Sequence, residues 1–299
     1  MPTRVDEETW FVLLGQLHPV TGYLRIGAGS GRHLEGFGLD TAPRALLVEA
    51  DERRLQSLEA VVETRPGWSV RSAVVAAENG PVVFNRASSP NESGLVAPAR
   101  LTRLWPNLAS VEEQERKATD LSSLLAETTD GLAAALNWLH VDCLPAGAIL
   151  SGAGDLLKRL DVIVARVLID TTAVEDPADL SSAELDRFMV ENGFRAVTVL
   201  PERHPALGQA VFVRDTKRQL ADLRDEQVRV GEGFRSRIAD FESRLRSETE
   251  HHAAGSARMS EEIDRLRATL EDRAAAIEAS IAARDEQAAL ADARAGEIA

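Results

Sequence analysis

The chain has 299 residues, a formal net charge of −14 and a single cysteine, Cys143. That length leaves room for about two domains. The acidic field repels a nucleic-acid backbone and no dense basic run overrides it, so direct nucleic-acid binding is disfavoured. One cysteine permits no disulfide within the chain and suits a reducing compartment. The start, MPTRVDEETW, lacks the basic-then-apolar pattern of a secretion signal. No apolar run approaches the roughly 20 residues of a membrane span. A soluble, cytoplasmic protein is expected.

In chain order, residues 6–17 (DEETWFVLLGQL) have the pattern of a short amphipathic helix, and GYLRI that of a strand. GRHLEGFGL, residues 31–39, reads as the start of the next helix. RALLVEAD is an apolar run ending in acids, as in a strand buried on both faces. ERRLQSLEAVVETRPG predicts a helix closed by Pro66 and Gly67. WSVRSAVVAA predicts a strand, and Asn79-Gly80 a hairpin-like turn into an added strand, PVVFNRAS. Residues 88–117 are turn-rich and read as irregular. TDLSSLLAET begins a short helix, NWLHVDCL a strand, AGAILSGAGDLLKRL a helix, and DVIVARVLID the most β-prone strand. SSAELDRFMVENGF is a helix with a serine N-cap and an Asn-Gly stop. RAVTVL and QAVFVRD close the domain as two strands with no helix between them, so the last should run antiparallel. Alternating strands and helices argue for a mostly parallel sheet covered on both faces.

Composition changes at Thr216. Beyond it there is no proline, tryptophan or tyrosine, and Ala, Glu, Asp and Arg dominate. The expected domains are therefore 1–215 and a helical segment, 216–299. Phe234, Ile238, Phe241 and Leu245, then Met259, Ile263, Leu266, Leu270, Ile277 and Ile281, recur at heptad-like steps. Asp240 with Arg244, Glu242 with Arg246, and Glu261 with Arg265 add supporting pairs. The seam weakens across SETEHHAAGSAR, where a break, stutter or frayed point is expected. Such a segment calls for a partner, and homo-oligomerisation through residues 216–299 is expected.

The chemistry concentrates in YLRIGAGSGRHLEGF. Gly27, Ala28, Gly29 and Gly31 make a turn in which glycine permits positive φ and close backbone approach to a ligand. Arg32 stands where a dinucleotide site has its third glycine, so the turn suits a nucleoside without a pyrophosphate. Glu49 ends the next strand, 20 residues after Gly29. A carboxylate there can accept from both ribose hydroxyls; it can equally begin a solvated loop. His140, on a buried strand beside Asp142, reads as a satisfied core histidine rather than a general base. No set of His and Cys residues has metal-ligand spacing.

These segments, followed in order by SAVVAAENGPVVF, ATDLSSLL, NWLHVDCLPAGAILSGAGDLLKRLDVIVARV and FMVENGFRAV, resemble the FkbM family of S-adenosylmethionine-dependent methyltransferases over residues 20–214. The resemblance implies an α/β fold, a Rossmann-like seven-stranded class I methyltransferase sheet, here followed by a long α-helical coiled coil. It implies S-adenosylmethionine above Gly27, Ala28, Gly29 and Gly31, with Glu49 on the ribose. It also implies methyl transfer to a hydroxyl of a sugar, glycan or other small molecule, and Asp142 is the surviving candidate for a catalytic base.

The chain departs from the family in its acids. Arg25 stands where the family has a carboxylate, facing the cationic end of the donor with a like charge. Arg25 pointing outward to pair with a surface acid is weighed against a pocket-facing arginine. DCLPAG, residues 142–147, lacks two glutamates, and VIVARVL lacks another, with Arg166 nearby. The losses support a second reading: a non-catalytic methyltransferase-like scaffold, gathered by its helix, in surface-polysaccharide assembly. A third keeps the pocket but turns it, through Arg25 and Arg166, toward an anionic nucleotide or sugar phosphate.

Overall fold

The computed structural model describes residues 7–31, 41–128 and 131–298. The expected helix start at 31–39, with Arg32, lies outside the described residues beyond Gly31. Ten strands and seven α-helices are described. The strands are β1 (Tyr23–Ile26), β2 (Ala45–Glu49), β3 (Trp68–Ser72), β4 (Val74–Val75), β5 (Gly80–Ala87), β6 (Ser110–Thr119), β7 (Trp138–Val141), β8 (Val162–Leu168), β9 (Phe194–Pro201) and β10 (Leu207–Arg214). The helices are α1 (Glu7–Leu17), α2 (Glu52–Glu63), α3 (Leu121–Ala126), α4 (Leu132–Ala135), α5 (Ala146–Ser151), α6 (Ser182–Glu191) and α7 (Thr216–Ile298).

Seven strands make one sheet in the order β3-β2-β1-β7-β8-β10-β9, parallel except for β10, which is antiparallel to both its neighbours. Numbered within this sheet alone, the order is 3-2-1-4-5-7-6, that of the class I methyltransferase sheet. The central strands β1, β2, β7 and β8 are buried along their whole length. Apolar side chains on both faces explain that placement: Leu24, Ile26, Leu139, Val141, Ile163 and Ala165 pack on one face. Tyr23, Trp138, Val162, Val164, Val211 and Val213 pack on the other, with Phe11 and Leu14 of α1.

Three local expectations change. WSVRSAVVAA divides into β3 and β4, which enter different sheets. The turn at Asn79-Gly80 does lead into a strand, but β5 pairs with β6 and not with β4, so no hairpin forms there. Residues 110–117, expected to be irregular, belong to β6, the centre of a second, three-stranded sheet, β4-β6-β5. The sequence SVEEQERKAT is exposed over most of its length, so it carries no apolar alternation to betray it. The expected helix from Ala146 ends at Ser151 and gives way to a 3-10 turn, Gly154–Arg159.

The chain divides into two compact units, Met1–Ala221 and Asp222–Ala299. α7 begins at Thr216, where the composition changes, and Asp215 caps it by accepting from the Arg218 N–H. The helix runs unbroken through 247–258, so of the expected break, stutter or fray only a stutter remains. Each large apolar residue of α7 from Leu220 to Ile281 is exposed. No described helix is long and apolar enough to cross a membrane.

Candidate functional site

Strand order reverses between β1 and β7, and ligands of open α/β sheets bind in the crevice beyond the strand ends at such a point. Gly27, Glu49 and Asp142 follow or end β1, β2 and β7, so the sheet brings these sequence-predicted residues to one edge. Gly27 and Ala28 each donate an N–H to the Val48 carbonyl at 3.0 Å, which folds the turn over β2. Gly27 has φ +76, and a Cβ there would lie 3.0 Å from the Asp142 carbonyl oxygen. Gly29 has φ +62, and a Cβ there would meet the Arg54 guanidinium at 2.7 Å. Both positions disfavour a side chain through their left-handed backbone, and at Gly27 the fixed Asp142 carbonyl adds a tight contact. Gly31 also has positive φ, and Ala28 is buried.

Glu49 is held from both sides. Oε2 accepts the Gly29 N–H at 2.6 Å and Oε1 accepts the Asp51 N–H at 2.8 Å. It does not begin a solvated loop, for it is 8% exposed. Burial raises its pKa above the usual carboxylate range, against the opposing pull of the two N–H groups.

Arg25 is buried, not turned outward. Its guanidinium donates to Asp142 Oδ2 at 2.5 Å across neighbouring strands. Burial works against the charge on each and is outweighed: Tyr23 and Asp142 together raise Arg25, and Arg25, with His140, lowers Asp142. Behind this pair, the Tyr23 hydroxyl lies 3.2 Å from His140 Nδ1. Burial pushes the Tyr23 pKa up to about 12 and, with Arg25, the His140 pKa down to about 3. A fully buried, neutral His140 is a core residue as expected. Burial likewise pushes the Cys143 thiol up to about 12, so it is inert as a nucleophile.

Arg166 faces acids that no local motif supplies. It donates to both oxygens of Glu92, at 3.1 and 3.2 Å, and to Glu202 at 3.0 Å. Burial opposes its charge, and Glu92 and Glu202 outweigh that and raise its pKa. Glu92 belongs to a 3-10 turn, Pro90–Glu92, whose Asn91 accepts from Arg54. Ser93 accepts from the Ala87 N–H. The segment thus reaches from Arg54, over Gly29, to Arg166 on β8. Around the crevice stand four carboxylates, Glu49, Glu92, Asp142 and Glu202, against three guanidiniums, Arg25, Arg54 and Arg166. One negative charge is in excess. Arg25 and Arg166 are each paired with acids of the chain, which removes the ground these two gave for an anionic ligand and for repulsion of a cationic one.

Sequence reasoning missed Glu92, Glu202, Arg54 and Asn91. Their partners lie 36 to 74 residues away in the chain, and only the fold brings them together. Beside Arg166 opens a cavity of about 340 Å³, lined by Ala146, Gly147, Ser181, Leu185 and Phe188 among others. Among the described residues no cluster of His, Cys, Asp and Glu could hold a metal ion.

No family model matches the chain, and no curated protein matches it by sequence. Among solved structures it is similar to the magnesium protoporphyrin IX methyltransferase of Synechocystis PCC 6803 with bound SAM, at 11% identity over 69% of this chain and 76% of that one, TM-score 0.38. It is also similar to the precorrin-6y C5,15-methyltransferase of Geobacter metallireducens GS-15, at 11% identity over 72% and 91%, TM-score 0.37. At these scores the likeness carries no argument about ligand or reaction, which rest on the site's own residues.

Proposed function

We propose that residues 1–215 bind S-adenosylmethionine and serve methyl transfer to a hydroxyl of a sugar or related small molecule, as the FkbM resemblance implies. The carrying observation is Glu49, buried and clamped between the N–H groups of Gly29 and Asp51. A carboxylate offers about four acceptor positions. The two N–H groups fill two, leaving capacity for a pair of ribose hydroxyls. The positive φ of Gly27 and Gly29 favours glycine there, as a turn curling closely under a nucleoside requires. The excess negative charge suits a donor with a positive sulfonium. These residues fit the group.

When bound, the donor supplies an electrophilic methyl for in-line displacement. The chain supplies position. Glu49 and the glycine turn hold the nucleoside. Asp142, kept ionised by Arg25, is a poor proton acceptor, so it serves better to orient a cation or a hydroxyl than to remove a proton. The cavity beside Arg166 has the size of a small-molecule site and is our choice for the acceptor. α7 gathers copies of the chain.

One observation favours the scaffold reading instead. Arg54, tied to Asn91, lies directly over Gly29 and covers the turn. Thermal unfolding of the full chain separates the two. A ligand that binds only the folded state raises the melting temperature with its concentration. S-adenosylhomocysteine raises it in the wild type and not in Glu49→Ala under the proposed function. No rise at millimolar ligand overturns the proposed function.

A further inference from the structure

The exposed seam of α7 has a symmetry that its heptads alone do not require. Forward from Val230, seam positions fall at 234, 238, 241, 245, 248 and 252, in steps of 4, 4, 3, 4, 3 and 4. Backward from Ile281 they fall at 277, 273, 270, 266, 263 and 259, in the same steps. The seam is a palindrome about Gly255 and Ser256, inside the stretch that holds the stutter. Because the helix is continuous there, the two halves stay in fixed phase.

We propose that α7 pairs with a second copy of itself as an antiparallel two-stranded coil centred on Gly255–Ser256. This rests on the oligomer reading given above and specifies its geometry. Antiparallel pairing about that centre sets Phe234 against the partner's Ile277, Phe241 against the partner's Leu270, and Leu245 against the partner's Leu266. All six are exposed in the single chain. The charged seam residues then meet apolar ones: Arg273 the partner's Ile238, and Glu248 the partner's Ile263. A parallel, in-register pair would instead stack Glu248 on Glu248 and Arg273 on Arg273, like charges facing each other in the seam. The edges agree with the antiparallel choice. Like edges of the two helices face each other, bringing Glu242 close to the partner's Arg267. Two strands suffice because the flanks of a two-stranded seam stay wet, and Glu248 and Arg273 can carry their charges out to water along their apolar stems.

Disulfide trapping in the full chain tests this, in a Cys143→Ser background. Leu245→Cys and Leu266→Cys are prepared separately, oxidised alone and as a mixture, and their mass in solution is measured by light scattering. The proposal predicts dimers throughout, a covalent dimer in the mixture, and little or none in either variant alone. Dimers in which each variant cross-links to itself would overturn the antiparallel geometry while keeping the oligomer. Monomers in solution would overturn both.

Discussion

Arg25 on β1 and Asp142 at the end of β7 are joined side chain to side chain at 2.5 Å, in the crevice where the strand order reverses. The arginine beside the glycine turn is thereby answered by an acid at the end of the neighbouring strand. Removing one partner strands the other: Asp142 keeps 24% of its side chain exposed, so Arg25→Met should cost about 1–3 kcal/mol, less than for a fully buried pair, read by urea unfolding at neutral pH. A loss below about 1 kcal/mol would show the pair to be no more than a surface contact.

The same pair sets a pH dependence. Asp142 has its pKa lowered in the folded state, so the stability it contributes is present above its unfolded value and is lost as pH falls through the folded one. Arg25→Met should flatten the acid limb of stability against pH. Glu49 has the opposite sign: its pKa is raised by burial, so stability is lost as pH rises through the raised value. Glu49→Gln removes the buried charge but leaves one of the two N–H groups without an acceptor, so its stability at pH 7 should stay within about 1 kcal/mol of the wild type while donor binding is lost. A larger loss of stability would show the carboxylate to be structural.

Burial holds His140 neutral down to about pH 3. Its imidazole resonances should not titrate between pH 8 and 5, where an exposed histidine does. A midpoint near 6.5 would mean that the strip of Tyr23, His140 and Gln209 is open to water.

Gly27→Ala places a side chain at φ +76 and within 3.0 Å of the Asp142 carbonyl. The left-handed backbone alone costs about 1–2 kcal/mol. Donor affinity should fall with stability, because the turn that must approach the nucleoside moves away from it. Unchanged binding of S-adenosylhomocysteine by this variant would place the nucleoside elsewhere.

How far the sequence reveals this arrangement depends on the range of the interactions. β2 and β8 are apolar runs long enough to announce a doubly covered sheet, and Glu49 is found because it ends such a run. β6 is invisible: its charged, exposed sequence resembles a loop, and only pairing with β4 and β5 makes it a strand. The missing acids mislead for a related reason. Glu92 sits in a turn-rich stretch and Glu202 beyond β9, and neither has a local pattern that points to Arg166. Counting charges along the motifs suggests a cationic, degenerate crevice. Counting them in space leaves a carboxylate in excess.

The central claim is that Glu49 and the glycine turn hold an adenosyl donor. Calorimetric titration of the full chain with S-adenosylmethionine, beside Glu49→Gln, tests it most directly. The account predicts saturable one-to-one binding by the wild type and none by the variant, with both proteins folded by circular dichroism. Equal binding by the two, or none by the wild type at millimolar donor, would contradict it.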